Sequence, residues 1–174
     1  MENVPMSGIA ARLCLLAILF AAVSPAAAET LPAPAGEVIL TIDGAIANTT
    51  DGKEARFDVA ALEALGLTTV TTSTPWTDGA VTYEGVLGRV LMEHVGAKGS
   101  ELVARALNDY LADIPIADFT AYDVILAIKA NGTYLPIRDK GPIFVVYPLD
   151  AHPDIMNNTI YSRCVWQLTR LTVQ

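Results

Sequence analysis

Few side chains in this sequence are of types that do chemistry, and most of them lie late in the chain. Arg138-Asp139-Lys140 sets two cations around one carboxylate just before Gly141-Pro142. Such a turn could grip an anion, or it could be a solvated loop with a weak surface ion pair. Tyr110 precedes an Ile114-Pro115 strand edge, where its hydroxyl could donate to a ligand oxygen or simply stay wet beside a half-buried ring. Trp76, next to Pro75, reads as a pocket wall or as cover for the core edge. Asp150, His152 and Asp154 alternate as metal-ligand types. A zinc site assembles three or four ligands, commonly histidine or cysteine, so with no further histidine or cysteine nearby this stretch reads as a solvated loop. The other histidine, His94, falls in an apolar, helix-like run and reads as a surface residue flanking it, and Cys164 reads as a small buried apolar residue. No serine-histidine-acid set is suggested, and neither common glycine-rich phosphate loop is present. The sequence therefore names contact residues and no catalytic residue or metal ligand.

The elements that must position these residues follow from periodicity and punctuation. Val38–Ile42 is β-branched and ends at Asp43-Gly44, a strand entering a turn; Asp51-Gly52 is a second turn. Asp58 ahead of the apolar stretch 59–65, with Gly66 behind it, predicts a capped helix. Residues 67–74 return to threonine-rich β character. Val86, Leu87, Val90, Leu91 and Val95 keep a 3.6-residue period, which predicts an amphipathic helix over 86–95 with Arg89 and Glu93 one turn apart and a stop at Gly96. Strands are predicted over 102–107, 111–116, 123–130, 143–147 and 164–173, with Cys164, Trp166 and Leu168 on one face of the last. Asn131-Gly132 suits a two-residue hairpin turn. Six or more strands with two short helices make an α+β domain.

Bulk properties narrow the partners. The chain has 174 residues and a net charge of −8, which repels nucleic acid and anionic lipid headgroups. Arg12, the apolar run 13–23, Ser24-Pro25 and Ala26-Ala27-Ala28 have the order of a signal peptide, and the run is shorter than the roughly 20 residues a membrane-spanning helix needs. Cys14 lacks the small residues before it that a lipoprotein site wants. The expected organisation is a signal peptide at 1–28, a short tether at 29–36 and one domain at 37–174, exported to the periplasm without a stable membrane anchor once the leader is cleaved. Cys164 would be the single cysteine left, so no internal disulfide forms.

The stretch 108–148 carries a more specific signal. Tyr110 before Ile114-Pro115, the apolar strand Asp123-Val124-Ile125-Leu126-Ala127, the Asn131-Gly132 turn, Leu135-Pro136, Arg138-Asp139 and a second apolar strand occur in an order that resembles the core of the sulfite oxidase-type molybdopterin-binding domain. Upstream, Trp76 and Tyr83-Glu84-Gly85-Val86-Leu87 resemble that family's strand-to-helix entry; downstream, Val165-Trp166-Gln167-Leu168 resembles its closing strand. The resemblance covers about residues 38–173. It implies the mixed-sheet fold of that family, and it makes Tyr110, Trp76, Arg138, Asp139 and Lys140 candidate cofactor- or ligand-facing residues.

The resemblance also marks departures. The family's cysteine ligand to molybdenum falls near Ser73, within Thr71-Thr72-Ser73-Thr74, and a neutral hydroxyl is a poor substitute for a soft thiolate. Lys140-Gly141 stands where the family has histidine-glycine, and Val165 where its closing strand has a lysine. Ser73 is therefore kept only as a ligand-facing candidate. These features lead to the expectation of a module that binds a small-molecule ligand, a membrane sensor or a redox protein, with no molybdenum redox catalysis and no resident cofactor. The alternative is a molybdopterin-dependent oxidoreductase acting on an oxyanion or sulfoxide; a purely structural or assembly role is the third.

Overall fold

The computed structural model describes Met1 and residues 28–174. The leader expectation rests on residues 2–27 and lies outside the described residues. In chain order, β1 (Leu40–Gly44) and β2 (Ala55–Phe57) precede α1 (Val59–Ala64), β3 (Thr68–Thr72), β4 (Val81–Leu87) and α2 (Gly88–His94). Then come the hairpin of β5 (Glu101–Ala106) and β6 (Leu111–Pro115), α3 (Ile116–Ala121), β7 (Ile125–Ala130), β8 (Thr133–Tyr134) and β9 (Phe144–Val146). A 3-10 turn at Pro153–Ile155, α4 (Asn158–Arg163) and β10 (Leu168–Val173) complete the chain. This is the mixed-sheet α+β arrangement expected from the sequence.

One sheet has the order β2-β1-β10-β5-β6, and β10 enters it parallel to β1 and antiparallel to β5. The other runs β3-β4-β7-β8, with β9 also pairing β7. Ile125 to Ile128 are all buried, which explains why this strand reads as a continuous apolar run and not an alternating one: both its faces are covered. Tyr83 meets Phe144 edge-on at 5.6 Å across that core. Asp58 caps α1 as expected; its carboxylate accepts from the backbone N–H of Ala61 at 2.8 Å and of Gly36 at 2.7 Å. Those two bonds hold its carboxyl below the ordinary range. They also fasten the start of the domain, where Leu31 is already in the core.

The described residues hold four short α-helices where two were expected, and two further element expectations are corrected. Val86 and Leu87 are not helical: they extend β4, opposite Leu126 and Ile125, and the helix begins only at Gly88. Close approach drives this. A Cβ on Gly85 would lie 2.1 Å from the Leu126 carbonyl oxygen, and one on Gly88 would lie 2.4 Å from the Phe119 ring. Arg89, in α2, pairs with Asp123. The second correction is at the C-terminus. The strand expected from Cys164 starts at Leu168, because Gln167 has a left-handed φ of 54° and Val165 turns back to donate to the Arg163 carbonyl at 2.8 Å. Cys164, Trp166 and Leu168 therefore do not share a strand face.

Candidate functional site

Trp76 stands on a tight turn built by threonines. The Thr77 hydroxyl accepts from the Thr74 N–H at 2.9 Å, the Thr77 N–H donates to the Thr74 carbonyl at 3.1 Å, and Thr74 itself is buried. Hydroxyls bonding to backbone two or three residues away make such turns without help from the core. The indole they lift out is 38% exposed, so Trp76 is not a core residue.

Tyr110 is set by the tip of the β5–β6 hairpin. Asp109 takes a left-handed φ of 63°, and the Tyr110 N–H donates to the Asn108 side chain at 3.1 Å. The Tyr110 hydroxyl then donates to the Ser162 carbonyl in α4 at 2.9 Å, tying the hairpin to that helix. Helix α4 is nucleated by Asn157, whose side chain accepts from the N–H groups of Thr159 and Ile160. Its far end is anchored by Arg163, which donates to the Asp118 carboxylate at 2.8 Å while the Tyr147 hydroxyl donates to the same oxygen at 2.7 Å. Burial and the adjacent carboxylate push the Tyr147 phenol far above its ordinary range, so it remains a donor.

Between these pieces lies a pocket of about 340 Å³, at the small end of ligand-site volumes. Trp76, Tyr110, Tyr161 and Trp166 form its aromatic walls, Cys164 and Val165 its buried apolar floor, and Asn108 and Ser162 add polar groups. Trp76 lies 5.3 Å from Trp166 with ring planes at 63°, and 6.2 Å from Tyr161 at 77°. Trp166 is fixed by its neighbour: the Gln167 backbone N–H donates to the Lys140 carbonyl at 2.9 Å and its side-chain amide donates to the Ile137 carbonyl at 2.6 Å. Two of the four non-glycine residues with left-handed φ among the described residues, Asp109 and Gln167, thus sit next to pocket aromatics. Uncommon backbone at both walls is a feature of ligand clamps.

The sequence candidates divide around this pocket. Trp76 and Tyr110 line it together. Lys140 stands outside the wall, its ammonium 5.9 Å from the centre of the Trp166 ring and 3.0 Å from Asp139. Arg138 and Asp139 are exposed on the loop beyond and do not line it. Ser73 lies in a separate, smaller recess on the other side of Tyr161. There its backbone N–H donates to Asp150 at 2.8 Å and its hydroxyl donates to the second carboxylate oxygen at 2.5 Å. Ser73 and Tyr110 do not converge. His152 packs edge-on against Tyr122 at 5.4 Å, Asp150 is taken by Ser73, and among the described residues no three such side chains gather as a ligand set.

Tyr161, Trp166, Arg163, Asp118 and Tyr147 were missed as site residues. For α4 a signal existed: Asn157 three residues before the buried Ile160 is a cap pattern. The Arg163–Asp118–Tyr147 set had none, since its members are 45 and 29 residues from Asp118 in sequence.

A sequence profile for the oxidoreductase molybdopterin binding domain matches residues 47–150, more than half of the chain. No curated protein matches. Among solved structures, the sulfane dehydrogenase SoxCD from Paracoccus pantotrophus is similar at 23% sequence identity and a TM-score of 0.57. The match covers 77% of this chain and 37% of that one, so this chain spans little more than a third of that relative.

Proposed function

Since the chain belongs to the oxidoreductase molybdopterin-binding domain family and has its fold, we propose that it is an exported binding module of that family, taking a small ligand in the Trp76–Tyr110–Tyr161–Trp166 pocket without molybdenum redox chemistry. The observation that carries this reading is Ser73 locked onto Asp150 at the position where the resemblance puts the metal's thiolate. Both bonds pull the Asp150 carboxyl below its ordinary range, so the carboxylate stays ionised and keeps the serine hydroxyl as a donor.

The family's cofactor does not fit the residues present. A high-valent, sulfur-bound metal wants an anionic sulfur donor. Cys164 is buried in the pocket floor, its thiol is pushed up to about 12 by that burial, and its sulfur donates to the Ile160 carbonyl at 3.4 Å. A pterin phosphate wants cations. Among the described residues the pocket wall carries none; Arg163 is held by Asp118, Lys140 by Asp139, and Arg138 lies exposed on the loop beyond the pocket. What remains is an aromatic recess with uncharged hydrogen-bonding groups, which is a recognition surface.

Both tryptophans of the chain line the pocket, so selectively excited tryptophan emission reports on it. Titrating the intact protein with a panel of small apolar, aromatic and cationic molecules should give at least one saturable emission change that Trp76→Leu abolishes with the fold retained. A panel that leaves the emission untouched argues against a binding pocket. Export is supported by the order of Arg12, the apolar run and Ala26–Ala28. Cell fractionation of a Gram-negative host should recover a chain that begins near Glu29 in the periplasm, and full-length protein in the cytoplasm would count against it.

A further inference from the structure

We propose that the pocket is a site for small methylated ammonium compounds, an inference that rests on the binding-module reading above. Trp76 meets Trp166 and Tyr161 at steep angles, 63° and 77°, with centroids 5.3 and 6.2 Å away. All three rings line one recess at steep angles to one another, so a compact, nearly spherical group seated there can touch more than one ring. A cation is drawn to a ring face within about 6 Å of its centre, and N-methyl groups add apolar contact while spreading the charge. Tyr110 adds a fourth ring, pinned by its bond to the Ser162 carbonyl.

Charge favours the same class. Among the described residues the wall carries no cationic side chain to receive an anion, and the chain's net charge of −8 raises the local concentration of cations. Trp166 already works as a cation acceptor inside the fold, with the Lys140 ammonium 5.9 Å from its ring centre. Asp139 at 3.0 Å offsets much of that lysine's charge, so it does not close the pocket to a second cation. What it leaves is a weak repulsion, and that gives the proposal an electrostatic signature.

The test uses choline and its uncharged isostere 3,3-dimethylbutan-1-ol, which share shape and hydroxyl and differ in the charge. Tryptophan emission and calorimetry of the intact protein should show choline binding roughly tenfold tighter than the isostere, the scale of a partly desolvated cation–π contact. Trp76→Leu should erase that preference, and because Trp76 is largely a surface residue the variant should keep its circular dichroism spectrum. Lys140→Gln should tighten choline severalfold and leave the isostere unchanged. Equal binding of the two compounds, or a Lys140→Gln variant with unchanged choline affinity, overturns the cation class while the binding-module reading stands. If neither compound binds but others of the panel do, the cation class also falls alone. If the whole panel is silent, both readings fall.

Discussion

Replacing Arg163 by methionine tests how the pocket wall is held. The guanidinium donates at 2.8 Å to an Asp118 carboxylate that also receives the Tyr147 hydroxyl at 2.7 Å. The side chains of Arg163 and Asp118 are only 21% and 12% exposed. Methionine keeps most of the apolar stem and deletes the charge, leaving a nearly buried carboxylate with one neutral donor. Exposed ion pairs are worth about 0–1 kcal/mol and breaking buried ones costs about 3–5 kcal/mol, so this pair should cost about 2–3 kcal/mol. For a chain of this size that lowers Tm by about 4–12 °C. Urea denaturation followed by circular dichroism measures the loss directly. Adding Asp118→Asn to Arg163→Met removes the stranded charge and should recover part of it. A single variant within about 0.5 kcal/mol of the parent, or a double variant no better than the single, refutes the claim that this network anchors α4 and with it Tyr161 and Ser162.

Cys164 should resist alkylation in the native protein at pH 8, because its thiol is pushed up to about 12, and react freely in denaturant; peptide-mapped labelling that finds it modified at the native rate of an exposed thiol contradicts its place in the pocket floor. Gly88→Ala should destabilise by about 1–3 kcal/mol, since the new methyl meets the Phe119 ring at 2.4 Å, and a neutral result in chemical denaturation would mean that α2 and α3 are not packed this closely. The Asp58 cap sets a pH dependence. Its folded carboxyl lies below the ordinary value of 3.8, so its contribution is present above the unfolded value and is lost as pH falls through the folded one. Asp58→Ala should therefore lose stability near neutral pH and show a smaller acid-induced decline than the parent; parallel stability–pH curves would exclude the cap as the source.

Legibility in the sequence followed the range of the forces involved. The Asp58 cap, the Asn131-Gly132 turn and the buried run of β7 depend on neighbours in sequence, and each was readable. The start of α2 was not: the period of 86–95 fits a helix, but Val86 and Leu87 are claimed by a ladder to Leu126 and Ile125 that residue spacing does not reveal. The same holds at Cys164–Gln167, where β propensity is overridden by backbone bonds from Val145 to Val165 and from Gln167 to Lys140. Of the site, Trp76 and Tyr110 could be named from residue type and order. Their convergence with Tyr161 and Trp166 depends on α4 lying against the hairpin tip, a tertiary contact. Ser73 could be named as a departure from the family pattern, but its commitment to Asp150, 77 residues away, could not.

The central claim is that this family member has kept the fold and given up the molybdenum centre, and cofactor content measures it most directly. Protein purified from a host that makes the molybdenum cofactor should contain well under about one-tenth of a molybdenum atom per chain, far from the single tightly held metal that a functioning centre requires, and should release no pterin fluorescence on denaturation. Stoichiometric molybdenum with pterin released in equal amount would contradict the account. It would mean that the Ser73 recess opens from Asp150 to hold the cofactor after all.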